Sequence, residues 1–140
     1  MRKILTLAFL ILSSFVMTAQ DQYSGNLKIE KMMESGQNSM GQKIVYPDFK
    51  DAKVSMMKIT FPPGETTGWH KHDIPVFSYV MQGTLTVEME DHKIMEFKEG
   101  TCFAESFNLY HKGTNLGTAD VVVFVVYLGG DGKSLSIKKK

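Results

Sequence analysis

The 140-residue chain has one cysteine, Cys102. A single thiol cannot close an intrachain disulfide, so a small disulfide-stapled scaffold is excluded. At this length none is needed, because 140 residues can bury an ordinary core unaided. Neither sign of charge prevails: the formal net charge is +1. Nucleic-acid binding relies on clustered Lys and Arg, and no such footprint exists here, so no nucleic-acid partner is expected. The one basic run, Lys138-Lys139-Lys140, reads as a solvated tail. Beyond residue 20 there is no long hydrophobic run and no sustained 3.6-residue period, so little helix is expected. Nor is there an internal repeat, a linker, a nucleophilic triad or a phosphate-cradling glycine loop. One domain remains.

The only long apolar stretch lies at the start, MRKILTLAFLILSSFVMTAQDQ. Arg2 and Lys3 precede an apolar segment over residues 4–17, the pattern of a secretory signal peptide. A membrane span needs about 20 apolar residues, and this segment is shorter. Cleavage after Ala19 is expected, giving an exported product, periplasmic or extracellular, with no membrane attachment after cleavage. No cysteine follows the apolar segment, which excludes a lipoprotein anchor.

Residues 20–42 form a polar arm, with one short strand expected at 27–29. Residues 43–140 then read as a series of short strands separated by turn residues. Strands are expected at 54–61, ended by Pro62-Pro63-Gly64, at 76–81, ended near Gly83, and at 85–89. Within the last of these Leu85, Val87 and Met89 alternate with Thr86 and Glu88. Further strands are expected at 94–97, 101–105 and 121–128. The continuous apolar run 121–126 suggests a strand covered on both faces. Closely spaced strands with Gly and Pro turns indicate an all-β sandwich or barrel.

His70 and His72 are spaced i, i+2. On a strand both imidazoles share one face, about 6.6 Å apart along the chain, near enough to converge on one ion. Imidazole suits zinc, copper, iron and nickel. A third histidine, His111, follows the next hairpin, whereas His92 sits in a turn and is expected to be exposed. In the expected strand at 101–105, Phe103 and Glu105 share one face, and Cys102 and Ala104 the other. If that face is interior, Glu105 either ligates an ion or bonds to a ligand histidine; if exterior, it meets a lysine. Cys102 is read as a buried, inert thiol. Trp69 and Tyr79 are read as core or pocket wall, and the scattered methionines as flexible core filler.

The segment GETTGWHKHDIPVFSYVMQG, residues 64–83, resembles the first motif of the cupin superfamily, G(X)5HXH(X)3,4E(X)6G. Gly64, His70, His72 and Gly83 are in register with it. The segment GTCFAESFNLYHKGTN, residues 100–115, resembles the second, G(X)5PXG(X)2H(X)3N, through Gly100, His111 and Asn115. The resemblance implies a single-domain, all-β cupin barrel, the double-stranded β-helix or jelly-roll fold. It carries over His70, His72 and His111 as ligands of one divalent metal ion (Fe, Mn, Zn, Ni or Cu). Two departures stand out. The motif glutamate falls on Val76, which cannot ligate, and Ser106 and Asn108 replace a proline and a glycine.

The resemblance further implies a metal-dependent enzyme of dioxygenase, isomerase or lyase type. Its substrate would be a small, oxygen-containing molecule. The alternative is a non-catalytic small-molecule or metal-binding periplasmic cupin. Glu105 and Tyr110 are the candidate catalytic groups, and Glu105 is also a candidate fourth ligand. The family also implies a homodimer.

Overall fold

The computed structural model describes residues 25–140, so the expected signal segment lies outside the described residues. The chain divides into two units, Met1–Lys31 and Met32–Lys140. In the first, residues 25–31 are irregular and exposed. The strand expected at 27–29 does not form.

The second unit carries nine strands: β1 (Ala52–Phe61), β2 (His70–Lys71), β3 (Val76–Gln82), β4 (Thr84–Met89), β5 (Ile94–Lys98), β6 (Cys102–Ala104), β7 (His111–Thr114), β8 (Val121–Gly130) and β9 (Ile137–Lys138). They form a four-stranded sheet, ordered β1-β8-β3-β6, and a five-stranded sheet, ordered β5-β4-β7-β2-β9. All pairings within the sheets are antiparallel. Among the described residues there is no helix.

Period-two alternation assigns the faces. Val76, Ser78 and Val80 of β3 are buried, as are Val121, Val123, Val125 and Tyr127 of β8. Leu85, Val87 and Met89 of β4 face them from the other sheet. Each aliphatic side chain withdrawn from water stabilises the fold by about 1.5–3 kcal/mol. The outer face of β8 departs from expectation. Val122, Val126 and Leu128 are half-buried and Phe124 is 36% exposed, beside exposed Val54 and Met56 of β1. Within one chain β8 is therefore covered on one face only.

The motif residues that touch no histidine serve as scaffold. Gly83 has φ +78°, and a Cβ there would meet the Val121 side chain at 3.0 Å and the Asp120 carbonyl at 3.2 Å. Only glycine allows the β3–β4 turn to press so close to β8. Asn115 is fully buried; its amide donates to the carbonyls of Phe61 and Ala119, both at 2.8 Å.

Two segments outside the expected strands dock on the barrel. Within the expected polar arm, Ser39 N–H donates to the Ala104 carbonyl. The Gln42 side-chain amide exchanges two hydrogen bonds with the Phe107 backbone, at 2.9 and 3.0 Å. At the other end the basic run is not a free tail: Lys138 lies in β9, and Lys139 N–H donates to the Trp69 carbonyl.

Candidate metal centre

His70 of β2 lies directly across from His111 of β7. His72, two residues on, keeps the same face and bridges to Phe107. The ring centroids lie 4.5–5.2 Å apart. Glu105 arrives from the end of β6, and its carboxylate enters the group from the four-stranded sheet. Its Oε2 is 3.1 Å from His72 Nε2 and 3.2 Å from His111 Nε2. Its Oε1 accepts a 2.5 Å hydrogen bond from Ser78 Oγ.

Glu105 lies beside Val76, the position where the motif glutamate is missing. Its N–H donates to the Val76 carbonyl at 2.9 Å, so the two residues are neighbours across the β3–β6 pairing. The carboxylate in the cluster thus comes from the end of β6, the strand paired with β3. Ser78, on the same buried face of β3 as Val76, steadies it.

The outer nitrogen of each imidazole is engaged. Nδ1 of His70 donates to the Gly68 carbonyl at 3.0 Å, that of His72 to Leu135 at 2.7 Å and that of His111 to Leu109 at 3.0 Å. A carbonyl can only accept, so each Nδ1 carries the hydrogen; a ring that is neutral then turns the Nε2 lone pair inward, and a ring that bonds to Glu105 carries a second proton on Nε2. With the rings neutral, three lone pairs and a carboxylate converge, and acceptors packed together require a cation, a proton or a metal. The four ligand atoms lie within 4.8 Å of one another. Donors about 2.1 Å from one ion sit about 3.0–3.4 Å apart, which the two Glu105 contacts already match. His70, His72, Glu105 and His111 form a cluster that could bind one metal ion.

Electrostatics follow from the same contacts. Burial alone would raise the Glu105 carboxyl, but hydrogen bonds from His111 and His72 hold it well below the usual carboxylate range. Burial works against the charged form of His72 too, yet the Glu105 hydrogen bond and charge outweigh it and raise this imidazole. His70 makes no carboxylate contact, and burial lowers it.

Not every expected residue reaches the cluster. Tyr110 does not: it precedes His111 by one position, so alternation turns it to the opposite face. There Lys71 and Lys139 lie over its ring, at 5.2 and 5.6 Å. Trp69 likewise lies on this outer surface under Lys112, at 4.8 Å, and is half-buried. His92 is exposed in a left-handed turn, with φ 67°. Cys102 is half-buried, not fully buried as expected.

Tyr127 is the phenol at the site. Its ring edge approaches His72, at 5.9 Å between centroids, and it lines the interior cavity with Ser78, Phe103, Val123 and Val125. Burial, and then the Glu105 charge, push its hydroxyl up to about 12. The alternation of β8 assigns Tyr127 to the inner face; what the sequence lacked was a reason to connect that face with His72.

The cavity holds about 50 Å³ of free space. One water needs about 10–15 Å³ on this measure, so there is room for only a few small groups.

Residues 57–127, just over half of the chain, match the family described as Cupin domain. No curated protein sequence matches significantly. Among solved structures, one of the DMSP lyases RdDddP and RnDddQII is 20% identical, with TM-score 0.53, covering 62% of this chain and 44% of that one. The DMSP lyase DddQ from Ruegeria pomeroyi is 16% identical, with TM-score 0.52, covering 61% and 43%. This chain spans less than half the length of those lyases. An RmlC-like cupin family protein with a double-stranded β-helix fold, from Methanocaldococcus jannaschii, is 20% identical, with TM-score 0.51, covering 74% and 86%. The chain is a member of the cupin superfamily.

Proposed function

We propose that this cupin is a metal-dependent enzyme acting on a small, oxygen-containing molecule inside the barrel. One observation carries the reading. Three imidazole Nε2 atoms and one carboxylate converge in a buried cluster whose outer nitrogens are all committed to backbone carbonyls. His70, His72, His111 and Glu105 would hold the ion, and the bound ion would supply Lewis-acid polarisation of a substrate oxygen. The protein's own contribution is positional. Ser78 fixes the Glu105 carboxylate, and apolar walls exclude bulk water.

Tyr127 takes the role of hydrogen-bond donor here, where Tyr110 was expected to act. With its ionisation pushed up to about 12, the hydroxyl stays protonated at neutral pH and can donate to a bound oxygen. Tyr127 lines the same cavity as His70, Glu105 and His111. A cavity of about 50 Å³ limits the reacting part of the substrate to a few heavy atoms.

The signal-like N-terminus supports an exported location, where the substrate would be met. The apolar outer face around Met56 and Phe124 supports a homodimer formed through the four-stranded sheet. An untargeted metabolite screen of the metal-loaded protein, with and without dioxygen, tests the enzymatic reading. Consumption of a small compound by wild type and not by His70→Ala is expected. Stoichiometric binding with no turnover would make the protein a binder instead.

A further inference from the structure

The three histidines are not held in the same way. His70 and His111 bond to carbonyls two residues earlier in their own loops, Gly68 and Leu109. Both partners form wherever the local turn forms. His72 instead donates to Leu135, 63 residues further on. This is its shortest hydrogen bond, at 2.7 Å, and it comes from an edge segment.

That segment is a strap between the sheets. It leaves β8 of the four-stranded sheet at Asp131-Gly132, both with positive φ, and ends as β9 on the edge of the five-stranded sheet. Anchors flank Leu135 on both sides. Asp131 Oδ1 accepts from the Asp51 N–H at 2.8 Å. Lys133 Nζ lies 2.6 Å from Asp73, the residue next to His72. Leu135 itself packs against the core. Beyond it, β9 pairs with β2 through Lys71↔Ile137 and His70↔Lys138, and Lys139 meets Glu90 at 2.5 Å.

We infer that residues 133–139 form a positioning strap that sets the tautomer and orientation of His72, so that strap docking and metal binding are coupled. The inference rests on the metal reading of the cluster. A ligand histidine held by a proper outer-nitrogen acceptor presents Nε2 correctly, and losing such a partner typically weakens metal affinity about 10–100-fold. Coupling is reciprocal, so a bound ion also tightens the strap. Leu135 acts through its backbone carbonyl; it is a positioning residue and touches no substrate.

The test uses the full chain with zinc as the probe and two variants. Leu135→Gly removes the apolar anchor, and Ile137→Pro breaks the pairing of β9 with β2. Imidazole nitrogen NMR of the zinc-loaded wild type should give three slowly exchanging Nδ1–H signals, that of His72 assigned by its nuclear Overhauser contact with the strap at Leu135. In both variants that His72 signal should weaken or vanish while the His70 and His111 signals persist. Zinc affinity, measured by chelator competition, should fall about 10–100-fold. Unchanged affinity with an intact His72 signal would overturn the strap's role. Loss of all three signals together in both variants would assign the strap to the barrel as a whole and likewise overturn it. A wild type that binds no zinc would be a different result, removing the metal reading on which the strap rests.

Discussion

Replacing Glu105 by glutamine keeps the side-chain shape and removes the charge that draws the cluster together. Glu105 Oε2 stands 3.1 and 3.2 Å from two imidazole nitrogens. An amide cannot serve as an anionic ligand, and one charge-assisted contact contributes about 1.5–3 kcal/mol, or roughly 10–150-fold in affinity. Zinc affinity should fall by at least that factor at pH 8. At lower pH a second effect opposes the first. In wild type Glu105 raises His72, so a proton must leave before the metal enters, costing up to about tenfold in affinity per pH unit. Glutamine removes that retention, so the gap between the proteins should narrow toward pH 6, and wild type should release more protons on binding. Titration calorimetry in buffers of different ionisation enthalpy measures both quantities. Equal affinity and equal proton release in wild type and Glu105→Gln would refute Glu105 as a member of the site.

Other outcomes rest on the same contacts. In the metal-free protein Glu105 lies below its ordinary value of 4.5 and His72 above 6.5. The stabilisation from Glu105 is full above pH 4.5 and is lost as pH falls through its folded value. That from His72 is full below pH 6.5 and is lost as pH rises through its folded value. The melting-temperature difference between metal-free wild type and Glu105→Gln should therefore be widest between about pH 4.5 and 6.5 and shrink on both sides; a flat difference in thermal scans contradicts the pairing. Tyr127→Phe should retain metal and lose most turnover, while Tyr110→Phe should keep both; steady-state kinetics with metal analysis separates them. N-terminal mass spectrometry on cell fractions should find a chain beginning near Gln20 outside the cytoplasm, and an intact Met1 start in the cytoplasm would contradict export. Phe124→Lys should shift a dimer to monomer in sedimentation velocity, and an unchanged mass would remove this sheet face as the interface.

Much of the barrel was legible in the sequence because strands write their pattern locally. The alternation of Leu85, Val87 and Met89 located β4, and turn residues bounded β1, β3 and β8 to within two residues. The His-x-His spacing placed two histidines of the cluster on one face, and alternation gave Phe103 and Glu105 a shared face. The short strands β2 and β9 were not legible, since two residues carry no period and form only against partners. Tyr110 is next to His111 in sequence, but adjacency on a strand means opposite faces. The Leu135 carbonyl left no trace at all, because a backbone acceptor has no side-chain signature and lies 63 residues from its partner. The exposed outer face of β8 could not be told from a covered one, since the apolar run reads alike in both cases.

Whether the histidine–carboxylate cluster holds a metal ion is tested most directly by elemental analysis of protein purified without chelators. Wild type should carry close to one transition-metal ion per chain. His70→Ala, His72→Ala and His111→Ala should each lose it, while His92→Ala should not. Wild type free of metal, and unable to take up zinc, iron, manganese, nickel or copper on addition, would contradict the metal site.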